Sequence, residues 1–186
     1  MAASADPQRQ TIAPGDVLDS PAFDLHIVVL DTSRDLLRAE VQAGSRGNGG
    51  PLHRHPRQEE RFLVRDGALR VRQGLRGARV VEAGAEVAVP PGRPHTFEVV
   101  SDEAHFIAEF RPAWQIAQVF RDLFALFAQG RLDRRGNPKL SDVAVLIERY
   151  PEDFFYAPLV PTAIQRLIAA LLTSRRRERP GSPAIH

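Results

Sequence analysis

Apolar residues recur at alternate positions in short runs between residues 23 and 111, then at every third or fourth position after Pro112. The first period buries one face of a strand, and the second buries one stripe of a helix. Strand-like runs cover 23–30 and 36–41, each bounded by Asp, Ser or Gly, and shorter ones follow at 61–65, 68–73, 78–82, 86–89, 96–100 and 105–111. Asp66-Gly67 marks a hairpin. Many short strands punctuated by Gly and Pro, with no helix between them, predict an antiparallel sandwich or barrel.

Three helices should follow. Ile116, Phe120, Leu123 and Phe127 form a stripe ended by Gly130. Val143, Leu146, Ile147 and Tyr150 form a second stripe, after Pro138 and the candidate N-cap Ser141. Ile164, Leu167, Ile168, Leu171 and Leu172 form a third, from about Pro161. Each stripe is one-sided and needs cover, which the outer face of the β core or a partner subunit would supply; a helix over the mouth of the core is the alternative. The expected organisation is a flexible arm at 1–16, a β core at 17–112, a helical extension at 113–175 and a frayed basic tail at 176–186.

Within this frame, His53-x-His55-x4-Glu60 and Pro90-Pro91-Gly92-Arg93-Pro94-His95 hold three of the six histidines. Two histidines one residue apart share a face of an extended strand. Glu60 returns to that face after the turn-prone run 56–59, and His95 opens another strand after a Pro/Gly turn. The spacing predicts a His3Glu metal site of His53, His55, Glu60 and His95.

These residues also carry a family resemblance. Gly47-x5-His53-x-His55-x4-Glu60-x6-Gly67 resembles the first motif of the cupin superfamily, and Gly84-x5-Pro90-x-Gly92-x2-His95 resembles the body of the second. The second motif usually closes with Asn where this chain has Val99, a position that is generally not a ligand. The resemblance spans about residues 20 to 112 and implies an all-β jelly-roll barrel, here followed by three α-helices. It also implies a homodimer through exchanged edge strands.

Composition narrows the function classes. The 186 residues, 43% hydrophobic, suit one core with an appendage. The absence of cysteine excludes disulfides, thiolate metal sites and a Cys nucleophile. A pI near 9.6 suggests nucleic acid, yet net charge is only +2, and all but one of the 25 basic residues are arginine, Lys139 being the exception. Arg61, Arg65, Arg70 and Arg72 fall at alternate strand positions, as on a solvated outer face, and Arg175–Arg177 with Arg179 fits a helix end. No nucleic-acid partner is predicted. No leader-like segment opens the sequence, and the longest apolar run, 167–172, is too short for a membrane span, so a soluble cytoplasmic protein is expected.

Imidazoles plus one carboxylate on an octahedral ion leave positions for other ligands, and suit Fe, Mn, Ni, Co or Zn equally. A redox ion would support a dioxygenase; a non-redox ion would polarise a substrate oxygen for cyclisation, isomerisation or elimination, with Glu60 as a candidate base. Glu59 and Glu109 are further acid-base candidates. By strand parity, Phe62, Val64, Phe97 and Val99 should line the pocket, with Glu109 nearby and Arg93 placed to pair a substrate carboxylate. Such a wall suits a largely apolar or aromatic, oxygen-bearing small molecule. His26 and His105 read as rim or core histidines, and Trp114 as packing. A metal-dependent oxygenase is the leading expectation, with a cyclase, isomerase or lyase next; from a different class, a non-catalytic ligand-binding cupin remains.

Overall fold

In the computed structural model the described residues are 12–131, 139–153 and 162–177. Residues 1–11 of the expected arm and 178–186 of the expected tail lie outside them. Within 12–16, Ile12 is buried and the Gly15 N–H donates to the Val29 carbonyl, while residues 13–16 are exposed.

Among the described residues the β core has nine strands: β1 (Val17–Ser20), β2 (Leu25–Thr32), β3 (Leu37–Gly44), β4 (Glu59–Asp66), β5 (Ala68–Gln73), β6 (Gly77–Glu82), β7 (Glu86–Val89), β8 (His95–Val99) and β9 (Glu103–Arg111). They form a six-stranded sheet in the order β1-β2-β3-β9-β4-β7 and a three-stranded sheet in the order β6-β5-β8, all pairs antiparallel. This is the predicted all-β core. β1 carries too little pattern in four residues to be read ahead, and is held by pairing with β2 and by burial of Leu18.

Alternation decides the faces. In β3, Leu37, Ala39, Val41 and Ala43 are buried, while Arg38, Glu40 and Gln42 face outward. Phe62 and Val64 of β4, Leu69 and Val71 of β5, Phe97 and Val99 of β8, and Phe106 of β9 complete the interior. Phe97 joins the two sheets, its ring 5.3 Å from Phe62 and 5.4 Å from Phe106 in edge-on contacts that suit the ring quadrupoles. Between β4 and β5, Gly67 has φ +72°, and an added Cβ would collide with the Glu103 carbonyl, so the hairpin needs a glycine there.

The extension comprises α1 (Ile116–Ala128), α2 (Leu140–Arg149) and α3 (Thr162–Arg177). The residue capping α2 is Lys139 rather than the expected Ser141, which lies inside the helix. α1 takes the alternative position, over the mouth of the core. Phe120 meets Phe110 of β9 at 5.4 Å, and Phe127 meets Phe23, in the turn between β1 and β2, at 4.5 Å. The end of α2 is tied to α1 by Asp122, which accepts hydrogen bonds from Tyr150 and Arg149, each at 2.7 Å.

α3 differs from expectation. It packs on α2 through Ala169 and the partly buried Leu172, with Gln165 and Thr173 also buried, while Ile164, Leu167, Ile168 and Leu171 stay exposed among the described residues. The side of α3 that meets α2 is thus built of small and polar residues with one leucine, not of the apolar stripe. No helix among the described residues is long and apolar enough to cross a membrane.

Ile116 is fully buried where α1 meets the core. Ile116→Ala is expected to lower the unfolding free energy by about 2–5 kcal/mol. Chemical denaturation followed through the β-sheet signal checks this: an unshifted β transition would show that the extension unfolds independently of the barrel.

Candidate metal centre

Two segments distant in sequence meet at one pair of backbone hydrogen bonds. The His53 N–H donates to the His95 carbonyl at 3.0 Å, and the His95 N–H returns to the His53 carbonyl at 2.8 Å. The turn before β8 is fastened to the same place, because the Gly92 N–H donates to the His55 carbonyl at 2.7 Å. Gly92 adopts φ +74°, a left-handed conformation that glycine takes without a steric cost. The sequence motifs are therefore physically stitched together before any side chain is considered.

The ligating atoms of His53, His55, Glu60 and His95 then lie within 4.8 Å of one another. His55, Glu60 and His95 are buried and His53 is half-buried. Each imidazole gives its Nδ1–H to a backbone carbonyl: His53 to Pro51 at 3.0 Å, His55 to Asp153 at 2.7 Å and His95 to Arg93 at 2.9 Å. Because a carbonyl only accepts, Nδ1 must carry the proton, which places the metal-binding nitrogen at Nε2 in all three rings. The Glu60 carboxylate lies 2.5 Å from His95 Nε2 and 3.6 Å from His55 Nε2. Three imidazoles set in one tautomer and a carboxylate in their midst are a donor set that fits a divalent ion.

The four side chains balance one another electrostatically. Burial and the neighbouring imidazoles of His95 and His55 hold His53 down to about 3, so it is neutral. Burial alone would raise Glu60, but His95 and His55 outweigh it and hold the carboxyl well below the usual carboxylate range. Burial lowers His95, yet the charge and hydrogen bond of Glu60 prevail and raise it. Glu60 and His95 thus form a charge-neutral pair inside an apolar shell.

A cavity of about 90 Å³ reaches this cluster on the side of His53 and Glu60. Of the residues expected to line it, Phe62 and Phe97 do. Val64 and Val99 are buried on the same inner faces without lining the cavity. Glu109 is on the opposite face of β9, paired with Arg38 at 3.4 Å and Arg111 at 3.2 Å, and Glu59 is on the outer face of β4, paired with Arg61. Parity explains both, since each is one residue removed from an inward-facing neighbour. Arg93 is exposed and lies across Gly74. His26 and His105 sit outside the cluster, bonded to Asp19 and Glu40. The sequence reading missed the far wall: Phe120, Leu123, Phe124 and Phe127 of α1, with Phe23, close the cavity. The apolar period of α1 was visible, but not which surface it would meet.

Fold and site together define a jelly-roll protein with an interior His3Glu centre. A family model for the cupin domain matches residues 39–108, which lie within the β core. No curated protein matches the chain. Among solved structures, KdgF from Halomonas sp. is similar at 20% identity and TM-score 0.49, over 55% of this chain and 92% of that one. An RmlC-like cupin from Shewanella frigidimarina is similar at 23% identity and TM-score 0.46, over 53% and 85%. Oxalate decarboxylase from Lactobacillus farciminis gives 19% identity and TM-score 0.45, over 53% and 32%.

A divalent ion competes with the proton for Nε2 of His95, where Glu60 favours the proton. Because that pKa is raised, the proton persists to higher pH than on an ordinary imidazole, so metal affinity should fall as pH drops through it. Titration calorimetry with Zn(II) in buffers of different ionisation enthalpy is expected to show proton release that grows as pH is lowered through that pKa. Heats independent of the buffer would contradict this assignment of the charge.

Proposed function

We propose that this cupin is a metal-dependent small-molecule enzyme, an oxygenase acting on a compact apolar or aromatic substrate with one ionisable oxygen. The observation carrying this reading is the pairing of a His3Glu cluster with a cavity whose polar lining side chains, among the described residues, are Asn48, His53 and Glu60. When bound, the ion would supply a coordination point for the substrate oxygen and, if redox-active, electron transfer to dioxygen.

The chain's own groups account for the rest. Phe62, Phe97, Phe110 and the α1 phenylalanines exclude water and orient an apolar body by contact. A volume of about 90 Å³ is well short of the roughly 300 Å³ at the lower end of drug-sized sites, so a sugar nucleotide does not fit this cavity. With Glu60 ionised and the three imidazoles neutral, a divalent ion leaves the cluster one positive charge. An enolate, phenolate or monocarboxylate restores neutrality, which matters where burial of an uncompensated charge is costly.

A second reading, Lewis-acid isomerisation or elimination with Glu60 as base, is favoured by one observation: Glu60 faces the cavity beside His95, at 2.5 Å. Against it, a carboxyl held well below the usual range is a poor proton acceptor at neutral pH, where an effective base titrates near the working pH. The oxygenase reading asks no proton transfer of Glu60.

Elemental analysis of protein reconstituted with Fe(II), Mn(II), Ni(II), Co(II) or Zn(II) is expected to give about one ion per chain, and almost none in His55→Ala. Unchanged metal content in that variant would sink the site. With metal confirmed, an oxygen electrode and a panel of phenols, enols and β-diketones separate the readings. Oxygen uptake with a redox ion supports the oxygenase; product formed without oxygen uptake, with Zn(II) as well, supports the second reading; binding with no turnover by any ion makes the protein a ligand-binding cupin.

A further inference from the structure

We propose that Gln58 and Asp153 are positioning residues through which the helical extension holds the metal ligand His55, so that a segment outside the barrel completes the metal site. The inference rests on the metal reading of the cluster and goes beyond it, because Asp153 lies well outside the matched residues 39–108.

The three imidazoles are not held alike. His53 and His95 each donate Nδ1–H to a carbonyl two residues earlier in the chain, Pro51 and Arg93, and so are set by their own loops. His55 donates instead to the carbonyl of Asp153, 98 residues away, at 2.7 Å. Orientation of this ring therefore depends on how the turn after α2 is placed against the barrel.

Gln58 fixes that placement. It occupies the four-residue spacer between His55 and Glu60 and is 1% exposed. Its Nε2 donates to the Ala113 carbonyl at 2.8 Å and to Asp153 Oδ1 at 3.1 Å, so one amide grips both ends of the extension's contact with the motif. Asp153 Oδ1 also accepts the Gln115 N–H at 3.0 Å, just ahead of α1, and the Asp153 N–H donates to the carbonyl of the fully buried Tyr150. Asp153 itself is 3% exposed. A buried amide and carboxyl are costly unless bonded, and here the bonds converge on the one residue whose carbonyl orients His55. An apolar pair could fill the same volume but would leave the turn free to slide by fractions of an ångström. Outer groups of this kind normally influence a metal as strongly as tens of fold in affinity.

Co(II) serves as the probe, because its visible absorption reports coordination geometry. Gln58→Leu and Asp153→Ala are each expected to weaken Co(II) binding about 10–100-fold in chelator competition and to change the absorption band. Asp153→Asn, which keeps the carbonyl and an Oδ1 acceptor, is expected to retain near wild-type affinity and spectrum. Thermal unfolding of the metal-free variants separates this from a packing role: lowered stability with unchanged Co(II) affinity and spectrum overturns the proposal. On wild-type protein, imidazole nitrogen NMR should show His55 protonated at Nδ1 with slow solvent exchange, and a proton on Nε2 instead would overturn the proposal even if the variants fail to fold. Wild-type protein that takes up no Co(II) removes the metal reading and this inference together, whereas equal binding by wild type and variants removes this inference alone.

Discussion

Two reciprocal backbone hydrogen bonds between His53 and His95 are the constraint on which the rest of the site depends. They make the two residues directly opposed neighbours, so the side-chain period of two brings His55 to the same side as His53, where Glu60 of β4 also points. A slip of one residue at this bridge would turn the ligands outward and the arginines inward. Backbone pairing, rather than attraction among four polar side chains, therefore assembles the cluster. Gly92, bonded to the carbonyl of His55, keeps the second motif from shifting along the first.

This is why the ligand set was legible in the sequence while its surroundings were legible only in part. His53 and His55 share a face by parity, and Glu60 and His95 each stand at the start of a strand after a short turn, so every step of the pattern is local. The same rule buried Phe62, Val64, Phe97 and Val99 correctly, and would also have placed Glu109 outside, since Phe110 and Ala108 beside it face in. Burial does not by itself make a wall, however: Val64 and Val99 are interior without touching the cavity. Strand parity says which way a residue points and leaves its depth along the barrel undetermined.

Contacts made between distant elements were not legible. The apolar stripe of α1 fits an outer sheet face as well as a barrel mouth, and only the Phe23 turn and the Phe110 ring, meeting Phe127 and Phe120, select the mouth. For α3 the pattern misleads, because Ala169, Gln165 and Thr173 are buried while Ile164, Leu167, Ile168 and Leu171 are exposed. The bond from His55 to the Asp153 carbonyl has no side-chain signature at all. Gln58 and Asp153 carried none either, since a Gln in a turn-prone spacer and an Asp after a helix both read as surface residues until their burial is known.

Closure of the mouth by α1 has an electrostatic consequence for the cluster behind it. With aromatic rings replacing water, the Glu60–His95 interaction is screened less than it would be at an open barrel end, which is the condition under which one carboxyl is held so low and one imidazole raised. The same low screening sharpens selection by charge. With a divalent ion bound as proposed, a neutral apolar molecule would gain only contact with the phenylalanines, a dianion would overshoot the single positive charge, and a monoanion would match it. On the proposed reading, helix α1 would act on substrate choice twice, through the shape of the wall and through the dielectric it imposes on a cluster to which it gives no side chain.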